Sequence, residues 1–342
     1  MPNWGQVLQE IQQEMAKELT EANRRQLFAQ PLNCINTVRR NYLGKLHEKT
    51  GRNVIGYYSG FLSKPNTLGT EINDEDKNGF MMAIDGLDRH KGLDIIIHTQ
   101  GGGITATQSI VDYLHKMFRL STKSAPDIRA IVPQIAMSAG TMLACACREI
   151  WMGKHSNLGP IDPQLRGVPA YGVLKEFKDA CDDVKDNPAK VPLWQSIIGH
   201  YRPTFLSQCQ NAIDLSNDFV RKQLANVMFR GESGARRKAA QIVKSLTHYG
   251  HNKTHDRHIH FEECQELGLN VRLIEDAKDS YGHSDDVLQD LILTVHHCYM
   301  HLLMNTPAFK IIENQNGIAL IKHQTANAAG KPNHCQSDFL PI

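Results

Sequence analysis

Short apolar runs that each pass through a tight turn into a helix predict an α/β fold built on a parallel sheet. Leu93-Asp-Ile-Ile-Ile-His98 ends in Thr-Gln-Gly-Gly-Gly103 and opens a helical segment from Ile104 to Arg119. Ile128-Arg-Ala-Ile-Val-Pro133 leads through Met137-Ser-Ala-Gly140 into an apolar helix that reaches Cys147. The third observation is size: 342 residues, against about 150 per domain, hold such a core with extensions at both ends.

The elements follow in order. From Trp4 to about Leu46 the pattern is helical, and Val7, Ile11, Met15 and Leu19 at four-residue spacing form an apolar stripe. Asn53-Val-Ile-Gly-Tyr-Tyr58 is a β-prone run, followed by a Pro/Asn/Gly loop over 64–69 and a helix from about Glu75 to Leu87. Glu149-Ile-Trp-Met152 is a further strand. A Gly/Pro-rich turn, Leu158-Gly-Pro-Ile-Asp-Pro-Gln164, introduces mostly helical sequence to about His248, including helices over 211–229 and 235–246. A short helix over 261–267 ends at Gly268 and feeds the strand Val271-Arg-Leu-Ile274. A long apolar helix spans 285–304, and the runs 308–312 and 317–321, joined through Gln315-Asn-Gly317, read as a β-hairpin. This divides the chain into an N-terminal helical arm (1–48), a core (49–280) and a C-terminal helix, hairpin and tail (281–342).

The net charge of +2 argues against nucleic acid as a partner, and the basic run Arg236-Arg237-Lys238 reads as a solvated helix face. No stretch reaches the roughly 18 apolar residues of a membrane span, and the polar start has no apolar signal segment, so a cytoplasmic location is expected. Eight cysteines without C-x-x-C pairs read as reduced thiols in the core. His248, His251, His255, His258 and His260 lack metal-site spacing and read as a structural turn, so no metal and no cofactor is expected.

Chemistry concentrates at two strand-to-helix turns. Three glycines at a helix start expose consecutive N–H groups suited to an anionic oxygen. A dinucleotide fingerprint fits poorly, because Ala106 stands where the third glycine belongs and no acid ends the next strand. At the second turn, Ser138 opens a buried helix with the N–H of Ala139 beside it, and Ala136, Ala139 and Gly140 leave room for a carbonyl. A plain N-cap serine is the competing reading.

His98-Thr-Gln-Gly-Gly-Gly-Ile-Thr-Ala106, Ala136-Met-Ser-Ala-Gly-Thr-Met142 and Ser156-Asn-Leu-Gly-Pro-Ile-Asp-Pro-Gln164 together resemble the ordered motifs of the serine dehydrogenase proteinase family. That family is similar to signal peptide peptidase A and to the Clp protease and crotonase fold. The resemblance runs from about Arg39 to Val271. It implies a spiral of ββα units, Ser138 as nucleophile, and Gly102 (or Gly101) with Ala139 as oxyanion donors. Its Clp branch places a histidine near Ile161-Asp162, where this chain has none, and His155 lies on the wrong side of the turn. Its signal peptide peptidase branch uses a desolvated lysine; Lys178 is the preferred candidate and Lys175 the second, with Asp162 as orienter or cap. The expected activity is a serine peptidase acting on a peptide or protein substrate. A non-hydrolytic scaffold or a crotonase-like thioester enzyme is the alternative. A homo-oligomer is expected, held partly through the N-terminal stripe and the face of Leu288, Leu291, Ile292 and Val295.

Overall fold

The computed structural model describes residues 4–25, 31–121, 124–165, 167–247, 254–278, 282–324 and 336–339. Two helices come first, α1 (Trp4–Arg25) and α2 (Pro31–Thr50). The sheet then opens with β1 (Asn53–Ser59), followed by α3 (Asp76–Ile84), β2 (Leu93–His98) and α4 (Ile104–Phe118). Next come β3 (Ile128–Val132), the two-residue β4 (Ile135–Ala136), α5 (Ala139–Cys145), β5 (Glu149–Met152) and the short β6 (Asn157–Leu158).

A small ribbon, β7 (Gln164–Leu165) and β8 (Val168–Pro169), leads into a helical section. That section is α6 (Ala170–Asp186), α7 (Val191–Ile198), α8 (Phe205–Gln223) and α9 (Ala235–Thr247). The chain continues through α10 (Phe261–Glu266), β9 (Val271–Leu273), α11 (Asp286–Asn305), β10 (Ala308–Asn314), β11 (Ala319–His323) and β12 (Gln336–Phe339).

One eight-stranded sheet organises these elements in the order β12-β11-β10-β1-β2-β3-β5-β9. From β1 to β9 every pairing is parallel, with Ile55 beside Ile95 and Ile95 beside Ala130. These strands read as nearly continuous apolar runs because both faces are covered. Ile95 and Ile97 enter the core shared with α4, α5, α8 and α9, whereas Ile96 enters the opposite layer under α2 and α11.

Two expectations are corrected here. The C-terminal hairpin does not hang off the core: β10 joins the sheet antiparallel to β1, with Ile55 opposite Asn314. The apolar stripe of α1 does not await a second subunit either. Val7 and Ile11 are buried in the layer that also holds Ile35 and Val38 of α2 and Leu288, Ile292 and Val295 of α11. The two faces expected to dock another copy cover each other within one chain.

β10 ties both layers to the sheet with one buried charge on each face. Glu313 accepts from Arg39 Nε (2.6 Å) and Nη2 (2.9 Å) and from Arg40 Nε (2.9 Å) on α2. Lys310, three positions earlier and so facing the opposite way, pairs with Asp76 of α3 at 2.9 Å on the other face. Among the described residues, Cys34, Cys145, Cys147, Cys209, Cys264 and Cys298 are buried thiols, while Cys181 is exposed. No described helix is long and apolar enough to cross a membrane.

Candidate active site

Past the ends of β2 and β3, a second and narrower set of pairings gathers the candidate residues. Gly102 bridges Ile72 on one side and Thr99 bridges Ala136 of β4 on the other. β4 pairs in parallel with β6, and Leu158 of β6 bridges Ile259 antiparallel. The ribbon thus runs Ile72, residues 99–102, β4, β6, Ile259.

Ser138 sits where β4 turns into α5, at φ 51° and ψ −116°. Among the described residues only Thr204 joins it as a non-glycine at positive φ. Such a conformation costs a non-glycine residue about 1–3 kcal/mol and survives only where packing dictates it. Ser138 stands at the N-cap position of α5, but its side chain makes no capping hydrogen bond, which counts against the competing N-cap reading. Among the described residues its hydroxyl makes no hydrogen bond to a protein group.

The glycine turn packs against this serine. A Cβ placed on Gly101 would stand 2.8 Å from Ser138 Cβ and 3.0 Å from the Ala139 nitrogen, so only glycine fits. The three N–H groups of the turn have separate fates. Gly101 donates to Thr99 Oγ1 (3.1 Å) and Gly103 to Ile72 O (2.8 Å). Among the described residues the N–H of Gly102 has no acceptor, and neither has that of Ala139. Because the Ile72 edge takes Gly101 O and Gly103 N, the alternation of an extended chain turns the Gly102 N–H to the opposite edge, where β4 and Ser138 lie. Of the two glycines left open by sequence, Gly102 is the one with a donor to spare.

Thr141 of α5 fastens the next segment to this turn. Its hydroxyl lies 2.8 Å from Ala136 O and 2.9 Å from Gly159 O, and it accepts the Gly159 N–H at 3.0 Å. Gly159 abuts Met137 so closely that a Cβ there would meet the Met137 Cα at 3.3 Å and its Cε at 2.5 Å. The chain then delivers Asp162, whose buried carboxylate receives Gln164 Nε2 on Oδ2 (3.1 Å) and His255 Nδ1 on Oδ1 (2.9 Å). His255 arrives because Ile259 pairs with Leu158 antiparallel, and the same register, followed outward, sets 255 opposite 162. Its ring is one-quarter exposed, with Nε2 on the side away from the carboxylate.

The lysine candidates fare differently. Lys178 and Lys175 both lie on the exposed face of α6, and Lys175 is ion-paired to Asp179. The buried lysine expected from sequence is therefore corrected: Val173 and Ala180 take the inward positions of α6 and leave Lys178 in solvent, without the desolvation that makes a lysine a base. Cys181, read from sequence with the other cysteines as a core thiol, is also exposed. His155 occupies an exposed turn. His255, read from sequence only as part of a structural turn, is brought against the buried Asp162, a pairing the sequence reading did not foresee. Of the same cluster, His258 and His260 are exposed, and His248 and His251 lie outside the described residues.

Residues 30–283 match the family of ClpP-like SDH-type serine proteinases. The chain belongs to this family. It is 34% identical over 201 residues to the uncharacterized protein MJ0137 of Methanocaldococcus jannaschii, covering 58% of this chain and 60% of that protein. A second uncharacterized protein of that organism, MJ1495, is 29% identical over 200 residues, 58% of this chain and 59% of its own length. The chain thus spans about 60% of the curated relatives it matches. Ser138, both oxyanion candidates and the pair Asp162–His255 all lie inside the family segment, whereas β10 and β11 lie beyond it.

Proposed function

We propose that this protein is a serine peptidase in which Ser138 attacks a peptide carbonyl, the N–H groups of Gly102 and Ala139 hold the oxyanion, and His255, oriented by Asp162, moves the proton. The observation that carries the reading is the strained Ser138 turn flanked by two N–H groups without acceptors. A strained residue with a free hydroxyl beside uncommitted donors is arranged for a ligand, and an oxyanion satisfies both donors at once.

The acyl transfer proceeds in two halves. An ionised carboxylate can only accept, so Nδ1–H of His255 donates to Asp162 and Nε2 presents its lone pair. Nε2 takes the Ser138 proton as Oγ bonds to the carbonyl carbon. It returns that proton to the leaving amine as the C–N bond breaks, and water then releases the acyl group by the same steps. The nucleophile, orienter and base occur in the order Ser138, Asp162, His255. We read the narrow ribbon, in which β1, β2, β3 and β5 are each followed by a second short pairing, as the ββα spiral expected from sequence.

A fluorophosphonate probe tests the reading. Wild-type protein should label, Ser138→Ala should not, and His255→Ala should label at least about 10²-fold more slowly. Lys178→Ala should label at the wild-type rate. Labelling that survives Ser138→Ala would remove the proposal.

A further inference from the structure

The C-terminal hairpin, outside the segment that matches the family, reaches the oxyanion turn through a continuous line of hydrogen bonds. Lys310 of β10 is buried, and its Nζ donates to Glu71 O at 2.6 Å. The same peptide group carries the N–H of Ile72, which donates to Gly101 O at 2.8 Å. That carbonyl in turn shares its peptide group with the N–H of Gly102, the donor left without an acceptor. We infer that Lys310 is a positioning residue that polarises the Gly102 N–H through these two peptide groups, strengthening it as an oxyanion donor. The inference rests on Ser138 being the nucleophile and deepens that reading.

The physical basis is cooperative. An ammonium on one carbonyl draws electron density from that peptide group and makes its N–H a stronger donor, and the effect passes to the next group in line. Burial enlarges it, because no water screens the charge. Burial lowers the Lys310 pKa, and the ion pair with Asp76, at 2.9 and 3.0 Å, opposes that shift. Asp76 lies off the line: it is held by Tyr57 Oη (2.7 Å) and the Asn73 N–H (3.1 Å), and Lys322 stands 3.7 Å from it. The carboxylate therefore offsets only part of the field along the peptide groups. Geometry also fixes the line in place, since Gly103 N–H returns to Ile72 O at 2.8 Å, and a Cβ on Gly102 would strike the Ile72 nitrogen at 2.3 Å.

The test is the double variant Lys310→Gln/Asp76→Asn in the full chain, which removes both charges and keeps polar groups in place. Labelling by a fluorophosphonate is resolved into reversible affinity, rate constant of inactivation and labelled fraction. A full oxyanion donor supplies about 10²–10³-fold, and polarisation is a fraction of that, so the rate constant should fall about three- to tenfold. Affinity and labelled fraction should hold, and the Gly102 amide proton should move upfield. A folded variant with unchanged rate constant and unchanged Gly102 shift overturns the inference. So does a loss confined to the labelled fraction, which would mark Lys310 as structural only. If that pair does not fold, the apolar pair Lys310→Met/Asp76→Leu takes its place. In wild-type protein, rapid hydrogen exchange at Ile72 would break the line outright. Wild-type protein that takes no probe would sink the serine hydrolase reading, and the Gly102 shift would still decide the relay.

Discussion

Ser138 shows why a functional residue need not be a stable one. Its φ of 51° with ψ −116° is a conformation that glycine tolerates and serine does not. Ser138→Gly should therefore be more stable than Ser138→Ala by about 1 kcal/mol, read as a higher unfolding midpoint, although neither labels. Equal midpoints would show that the turn stores no strain. Gly101→Ala works in the opposite sense. At φ 101° and with its Cβ pressed onto Ser138, it should lose labelling and at least about 2 kcal/mol of stability. The serine and the glycines were legible in the sequence because each sits on one local strand-to-helix turn. His255 was not, because its partner Asp162 lies 93 residues away and only the antiparallel pairing of Ile259 with Leu158 joins them. Lys178 misled for the related reason that its place in the sequence does not say which neighbours cover it.

At the scale of elements, the strands and helices of the core follow their apolar periods closely, and the misreading concerns where β10 goes. A hairpin is a local pattern, but its docking against β1 pairs Ile55 with Asn314, and no spacing rule spans that separation. The charged residues within β10 were the available signal, since a strand so apolar otherwise would hardly carry Lys310 and Glu313 unless each met a buried partner. Glu313 is fully buried. Burial alone would raise its pKa, but Arg39 and Arg40 hold it below the usual carboxylate range. The stability it contributes is therefore present above the unfolded-state carboxylate value and is lost as pH falls through its lower folded value. Glu313→Gln leaves the Arg39 guanidinium buried without its counter-charge and should cost about 3–5 kcal/mol at neutral pH. Denaturant midpoints would measure it, and a change under 1 kcal/mol would mean that α2 is not held through this pair.

For the molecule as a whole, acid should act first on the layer between α11 and the sheet. His98, at the end of β2, is fully buried among Tyr58, Phe61 and His296, and neither of its ring nitrogens has a partner among the described residues. Burial pushes His98 from 6.5 down to about 3. Burial, then the neighbouring His98, His297 and His155, hold His296 well below its ordinary value. Both rings are thus neutral when folded but take up a proton when unfolded below about 6.5, so the unfolded state binds more protons and stability must rise with pH across that window. As pH drops from about 6.5 toward 3, His98 should remove on the order of 1 kcal/mol per pH unit until the layer opens, and His296 acts in the same direction. The polar His98 ring makes no hydrogen bond there, so His98→Phe places a ring of similar shape in an aromatic surrounding and should cost little at pH 7.5. Its unfolding midpoint should then fall more gently than that of wild type between pH 6.5 and 5. Parallel slopes for the two proteins would show that His98 takes no part in the acid response.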